Sequence, residues 1–212
     1  MEKFLFVLLL IFLLGTSCGQ FDSHVSQAPK GEFKPESVVA KGDVNKNRIR
    51  FRGSLWKAVS WEDARGKNTL ILSARPVFQI SEDLHRKRVY GYHYLETPDT
   101  LERINYMTDL ADSCFCDCDI YLVDTLLHVD DFNNDQIGDV WFAYYIDTRC
   151  DVSPVEAKLQ LWSDGKRVEL AGLVLPPEDQ AWPDSLPGPE FVFSSDVHLE
   201  ERALALWKKL FY

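Results

Sequence analysis

One short stretch concentrates most of the side-chain oxygen that could do chemistry. In Val129-Asp130-Asp131-Phe132-Asn133-Asn134-Asp135-Gln136-Ile137-Gly138-Asp139, oxygen-bearing side chains fall at Asp131, Asn133, Asp135 and Asp139. These are positions 1, 3, 5 and 9 of a loop, and position 7, Ile137, can add its backbone carbonyl. Alternate residues of a tight loop point inward, so the spacing can converge on one hard cation. Calcium, which accepts oxygen ligands in flexible geometry, suits it better than magnesium, which demands a strict octahedron and retains water. Asp130, Asp131, Asp135 and Asp139 crowd together within this stretch and repel one another without a cation. Position 6 of such loops is normally Gly, because the chain turns sharply there, and here it is Gln136. An affinity on the order of 10⁻⁴–10⁻³ M, as in extracellular modules, is therefore expected. The alternative is an Asx-rich turn held by its own hydrogen bonds. In either case the motif positions no nucleophile or base, so the expected role of the ion is structural.

The cysteines bracket the same region. Cys114, Cys116, Cys118 and Cys150 form an even set beside Cys18, and in an exported chain such a set reads as disulfides before metal ligands. A hairpin turning near residue 133 or 134 brings Cys116 or Cys118 opposite Cys150. Cys116–Cys150 is the preferred staple, Cys118–Cys150 the alternative, and Cys114–Cys118 the pair left by the first choice. A thiolate metal site built from Cys114-Phe115-Cys116-Asp117-Cys118 is the rival, although zinc sites use longer spacers. Other chemistry has thinner support. Glycoside hydrolysis needs two placed carboxylates, and Glu102 and Glu156 are the strand-flanking glutamates to screen. His24, His85, His93, His128 and His198 are scattered, without metalloprotease spacing. No serine sits in a nucleophile elbow. The expectation is a non-enzyme.

The elements that must hold these residues read mostly as strands. Leu55–Trp61 and Thr69–Leu72 flank turn chemistry around Gly66, while Val89–Leu95, Leu101–Met107, Ile120–Val129 and Val140–Ile146 continue the pattern. Lys158–Trp162 and Val168–Leu170 form a hairpin through Asp164-Gly165. Residues 176–190 hold five prolines and read as loop. At the end, Leu199, Ala203, Leu206, Trp207 and Leu210 recur at helical spacing, with Ser195 or Asp196 as cap and Lys208 and Lys209 at the negative end of the dipole. The fold class expected is α+β, mostly β: an antiparallel sheet of hairpins with a C-terminal helix packed on one face.

The start of the chain gives an address. Glu2 and Lys3 precede eleven apolar residues, Phe4–Leu14, followed by Gly15-Thr16-Ser17-Cys18. That is a secretory signal, shorter than a membrane span. Its end resembles a bacterial lipobox, with Gly15 where Leu is usual. Three parts are expected: residues 1–17 a lipoprotein signal peptide, 18–48 a lipidated Cys18 and flexible tether, and 49–212 one β-rich globular domain. The net charge of -10 argues against nucleic acid as a partner. With 13 Phe, 8 Tyr and 6 Trp there is ample material for a core.

Two resemblances follow from these residues. The Asp131-x-Asn133-x-Asp135 loop, set between two strands, resembles the strand-loop-strand calcium loops of FG-GAP and related extracellular modules. From about residue 50 onward, the loop, Cys150, the Val152-Ser153-Pro154 step and the Trp207 helix look like a poorly characterised family of bacterial lipoproteins, some labelled surface polysaccharide biosynthesis proteins. The resemblance implies a cell-envelope lipoprotein, lipid-anchored, with Gly19 after Cys18 favouring the outer membrane. It would be a calcium-stabilised module binding a glycan or an envelope protein. Trp56, Trp61, Tyr92 and Tyr94 are candidates to stack on sugar rings, unless they fill the core. A polysaccharide-acting hydrolase and a purely structural lipoprotein are the other readings.

Overall fold

The computed structural model describes residues 33–38, 43–44, 49–175 and 186–211. Cys18 and the leader lie outside them. The described chain is mostly antiparallel β-structure with one C-terminal helix, and its hairpins divide between two sheets, where the sequence suggested one.

The first sheet is built from β1 (Lys34–Val38), β2 (Ser54–Asp63), β3 (Gly66–Ala74), β4 (Phe78–Gln79), β5 (His85–Glu96) and β6 (Leu101–Cys114). Its order is β1-β2-β3-β5-β4, with β6 also paired to β5. The second contains β7 (Asp119–Asp130), β8 (Asp139–Asp147), β9 (Val155–Ser163), β10 (Lys166–Val174) and β11 (Glu190–Ser194), in the order β11-β10-β9-β8-β7. The β9–β10 hairpin turns at Asp164 and Gly165, with φ of 44° and 74°. Positive φ at both centres matches the twist of the flanking strands.

The sheets face each other across a core that includes Trp61, Leu72 and Met107 from the first sheet and Ile120, Phe142 and Trp162 from the second. Gly91 leaves room for this packing: a Cβ there would lie 3.0 Å from the Trp162 ring and 2.9 Å from the Met107 side chain. The outer face of the second sheet is covered by the helix Val197–Phe211, whose Leu199, Ala203, Leu206 and Trp207 pack on Leu159, Leu161, Val168 and Leu170. Asp196 caps the helix, its Oδ1 accepting from the His198 N–H at 2.8 Å. Ser195, the other candidate, instead bonds the backbone of Arg167 on β10. Because β8 lies between the first sheet and the helix, residues Asp139 to Ile146 are all buried and its sequence shows no alternation.

The tether boundary needs correction. Lys34–Val38 pairs with β2, and Val44 is 0% exposed among Ile49, Ala58, Ile71 and Tyr90. Part of the stretch assigned to a flexible linker therefore belongs to the domain: Val44 packs on the outer face of the first sheet, Phe33 packs against the core between the sheets, and Lys34 pairs with Glu62. The proline-rich loop also ends earlier than expected, since Glu190 opens β11.

Candidate functional site

Strands β7 and β8 deliver the oxygen-rich loop, with Asp130 opposite Asp139 as the last pair before the turn. Inside it the carboxylates and the Asn133 amide organise the backbone. Asp131 accepts from the Asp135 and Gln136 N–H groups, at 3.0 Å each. Asn133 Oδ1 accepts from the Asp135 N–H at 3.1 Å, and its amide nitrogen donates to Asp135 Oδ2 at 2.8 Å. Asp135 Oδ1 accepts from the Ile137 N–H at 2.7 Å. Ile137 itself is only half-buried. The loop thus has one set of lone pairs engaged in defining its shape. Among the described residues no group of three His, Cys, Asp or Glu side chains is gathered in the manner of a metal centre.

Asp139 differs from the others. It is 0% exposed, its Oδ2 accepts from the Phe132 N–H at 3.2 Å, and its Oδ1 is buried without a hydrogen-bond partner. Burial pushes its pKa up to about 7, and the neighbouring Asp135 and Asp130 add to the rise, while the Ser163 hydroxyl and the Phe132 N–H oppose it. A buried carboxylate oxygen with nothing to bond is costly. An oxygen-seeking cation fits this orphaned atom.

The loop is also docked onto the other sheet. Asp63, at the end of β2, accepts from the Gly138 N–H at 3.2 Å, and the Ala64 N–H donates to the Gln136 carbonyl at 2.9 Å. Gly138 presses on the Trp61 ring, where any Cβ would sit 2.1 Å from Nε1. Gln136 has φ of 67°, the left-handed conformation for which Gly is the usual residue. Its side-chain oxygen accepts from the Phe33 N–H at 3.2 Å, just ahead of β1. This bond, which Gly could not make, offsets part of the left-handed cost of about 1–2 kcal/mol.

Beyond an irregularity between Leu122 and Leu127, the β7–β8 register shifts so that Asp119 faces Asp147. This brings Cys116 to Cys150, and the two are bonded with Cα atoms 5.1 Å apart. Cys114 and Cys118 form the second disulfide, with Cα atoms 5.3 Å apart. The three-cysteine cluster is thereby consumed, and neither the thiolate site nor the Cys118–Cys150 pairing is present.

Of the screened glutamates, Glu102 is exposed, and Glu156 sits half-buried 3.9 Å from Lys158, with burial raising its pKa. Lys158 belongs to a polar cluster between the sheets. It reaches Asp109 at 2.7 Å and Glu169 at 3.7 Å, and Tyr144 donates its hydroxyl to Asp109 at 2.8 Å. His93 is buried, its Nε2 2.9 Å from Asn68 Oδ1. Asn68 donates its own amide to the Gly66 carbonyl, so His93 is the donor to Asn68. Burial holds the imidazole neutral, with a pKa lowered to about 3.

Of the four aromatics named as candidates for sugar stacking, Trp61 and Tyr92 are buried, at 2% and 3% exposure, and take the other course open to them, filling the core. Trp56 is half-buried beneath Lys87. Tyr94 lies half-buried at the rim of an open hollow of about 560 Å³ on the outer face of the first sheet. Tyr92 forms its floor, stacked 6.4 Å from Tyr94, and Phe51, Leu101 and arginines complete it. Those arginines were not picked out from the sequence, although Arg48-Ile49-Arg50-Phe51-Arg52 alternates charge and apolar side chains in an acidic chain. Compared with known proteins, the chain matches no family model, no curated protein and no solved structure.

Proposed function

We propose that this chain is a lipid-anchored cell-envelope module, non-enzymatic, that binds a glycan at the outer face of its first sheet. The observation that carries the reading is the hollow beside Tyr94: concave, open, and lined by a ring with free surface over a rigid aromatic floor. Sugar rings present apolar C–H faces that pack on such rings, and polar groups around a largely preformed hollow fix orientation.

Calcium completes the frame in this reading. Asp131, Asn133, Asp135, Asp139 and the Ile137 carbonyl would hold it. The ion would neutralise the crowded carboxylates and give Asp139 Oδ1 a partner. Since the loop contacts Asp63, Ala64 and Trp61, ordering it ties the second sheet to the hairpin that carries the first. The two disulfides agree with an oxidising compartment. Lipidation at Cys18, placement in the outer membrane and the resemblance to polysaccharide-associated lipoproteins rest on the sequence alone.

The test is a glycan array probed with purified protein in millimolar calcium, followed by titration of the best ligand against Tyr94→Phe and Tyr94→Ala. Retained binding in Phe and at least tenfold loss in Ala, with unchanged melting, is expected. No retained glycan, or full binding by Tyr94→Ala, overturns the reading.

A further inference from the structure

The arginines around the hollow say what kind of glycan it takes. Arg50, Arg52 and Arg103 all line it and all are exposed. None is in an ion pair among the described residues, although most other cations here have a carboxylate partner, as Arg65, Arg86, Arg149 and Lys158 do. In a chain of net charge -10, three cations left unpaired around one hollow form a local field opposite to that of the molecule.

The backbone beneath them is fixed in advance. The Arg52 N–H donates to the Tyr92 hydroxyl at 3.1 Å, the Arg52 carbonyl accepts from Ser73 Oγ at 2.8 Å, and the Tyr94 hydroxyl donates to the Arg50 carbonyl. Ile49 is buried and Phe51 half-buried, so Arg50 and Arg52 alternate outward. Arg103 stands directly across from Tyr94 in the β5–β6 register and stacks over Tyr106 at 5.0 Å. All these ties use main chain or rings and leave the guanidinium donors available.

The track continues. Arg103 and Tyr106 also line a second hollow of about 430 Å³, where Arg167 lies 4.4 Å from the Phe193 ring and donates to the Tyr106 carbonyl at 2.9 Å. Two adjoining hollows, each pairing an aromatic ring with arginine, suit a chain of several units carrying repeated negative charge. Guanidinium forks match carboxylates and phosphates bidentately, and the carboxylate is the repeated charge of uronic-acid saccharides. Single-stranded nucleic acid also stacks on rings and needs cations. The two disulfides, which suit a chain kept outside the reducing cytoplasm, favour a saccharide.

We infer that the hollow beside Tyr94 and its continuation past Arg103 bind an acidic polysaccharide, with Arg50, Arg52 and Arg103 holding its carboxylates. This rests on the glycan-binding reading and narrows it to a charged class.

The experiment titrates purified protein with a hyaluronan octasaccharide, a neutral chitin hexasaccharide and an oligothymidylate, at low and high salt. It is repeated with the triple variant Arg50→Gln, Arg52→Gln, Arg103→Gln, whose exposed positions leave the backbone ties intact. The expected result is hyaluronan binding that exceeds chitin binding at least tenfold, falls at least tenfold at high salt, and is lost in a triple variant that melts like the parent. Equal binding of both saccharides, unaffected by the triple variant, overturns the acidic class while sparing the glycan reading. Binding of neither overturns both. Preference for oligothymidylate makes the track a nucleic-acid site and overturns the inference.

Discussion

Replacing Asp139 by Asn separates the cost of a buried charge from the gain of a bound ion. Asp139 is 0% exposed with Oδ1 unpartnered, and its pKa stands near 7 against 3.8 for an ordinary Asp. Each unit is worth about 1.4 kcal/mol, so keeping this carboxylate ionised above neutrality, without a cation, costs roughly 4 kcal/mol. The sign follows from the raised value: the contribution is favourable at low pH and lost as pH rises through about 7. Asn is neutral and nearly isosteric, and can still accept from the Phe132 N–H. Its amide must find an acceptor, however, and an unmatched amide costs about 1–3 kcal/mol. In chelator at slightly alkaline pH the variant should therefore be more stable than the parent by about 1–3 kcal/mol. In calcium the gap closes. At a concentration about tenfold to a hundredfold above the dissociation constant, the parent gains roughly 1.5–2.5 kcal/mol, and the variant, lacking a charged ligand, gains almost nothing. Urea unfolding of both proteins, with chelator and with calcium, reads this as midpoint shifts at constant slope. A variant less stable than the parent in chelator, together with an undiminished calcium gain, would refute the reasoning.

Three other outcomes follow from the structure. Gly138→Ala should destabilise by about 2–3 kcal/mol or more, because its Cβ would meet the buried Trp61 ring at 2.1 Å, whereas Gly188→Ala, with nothing within 4 Å, should stay within about 0.5 kcal/mol of the parent in the same urea titrations. His93, held neutral by burial with a pKa near 3, takes no proton in the folded state where the unfolded chain does, so stability falls as pH drops from 6.5 toward 3. Between neutrality and pH of about 5 the parent should lose about 2 kcal/mol more than His93→Gln, measured by denaturant midpoints at both pH values. Removing the Cys116–Cys150 bridge as a double Ala variant frees a loop of 34 residues' separation and should cost about 3–4 kcal/mol, against about 2 kcal/mol for the Cys114–Cys118 pair, which is separated by only 4. Equal losses for the two pairs would contradict the loop-closure account.

What the sequence revealed is what is encoded locally. The Asp164-Gly165 turn, the strand Thr69–Leu72 and the apolar stripe from Leu199 to Trp207 each carry their signal within a few residues, and each lies where expected. The oxygen-bearing positions were equally visible, since a loop's side-chain spacing is local. The division into two sheets was not. Strands β8 and β9 face core on both sides, and a strand buried twice looks the same whichever partners cover it. Strand β1 was missed because Lys34-Pro35-Glu36-Ser37-Val38 has a tether's composition, and only pairing with β2 makes it a strand. The role of Gln136 was hidden for a related reason. At position 6 of the loop it counted as a departure from Gly, while its bond to Phe33 spans 103 residues. Which of Trp56, Trp61, Tyr92 and Tyr94 would fill the core was open in the sequence, because an aromatic's exposure depends on what the fold places over it: Gly138 on Trp61, residues 49–52 on Tyr92.

The frame proposed for the second sheet depends on a calcium ion in the turn between β7 and β8. Equilibrium dialysis of the purified protein against radioactive calcium, with Asp135→Ala alongside, measures it most directly. One calcium per chain with a dissociation constant on the order of 10⁻⁴–10⁻³ M, absent from the variant, is the result expected. No calcium retained by the folded parent at millimolar concentration, or equal retention by the variant, would contradict it.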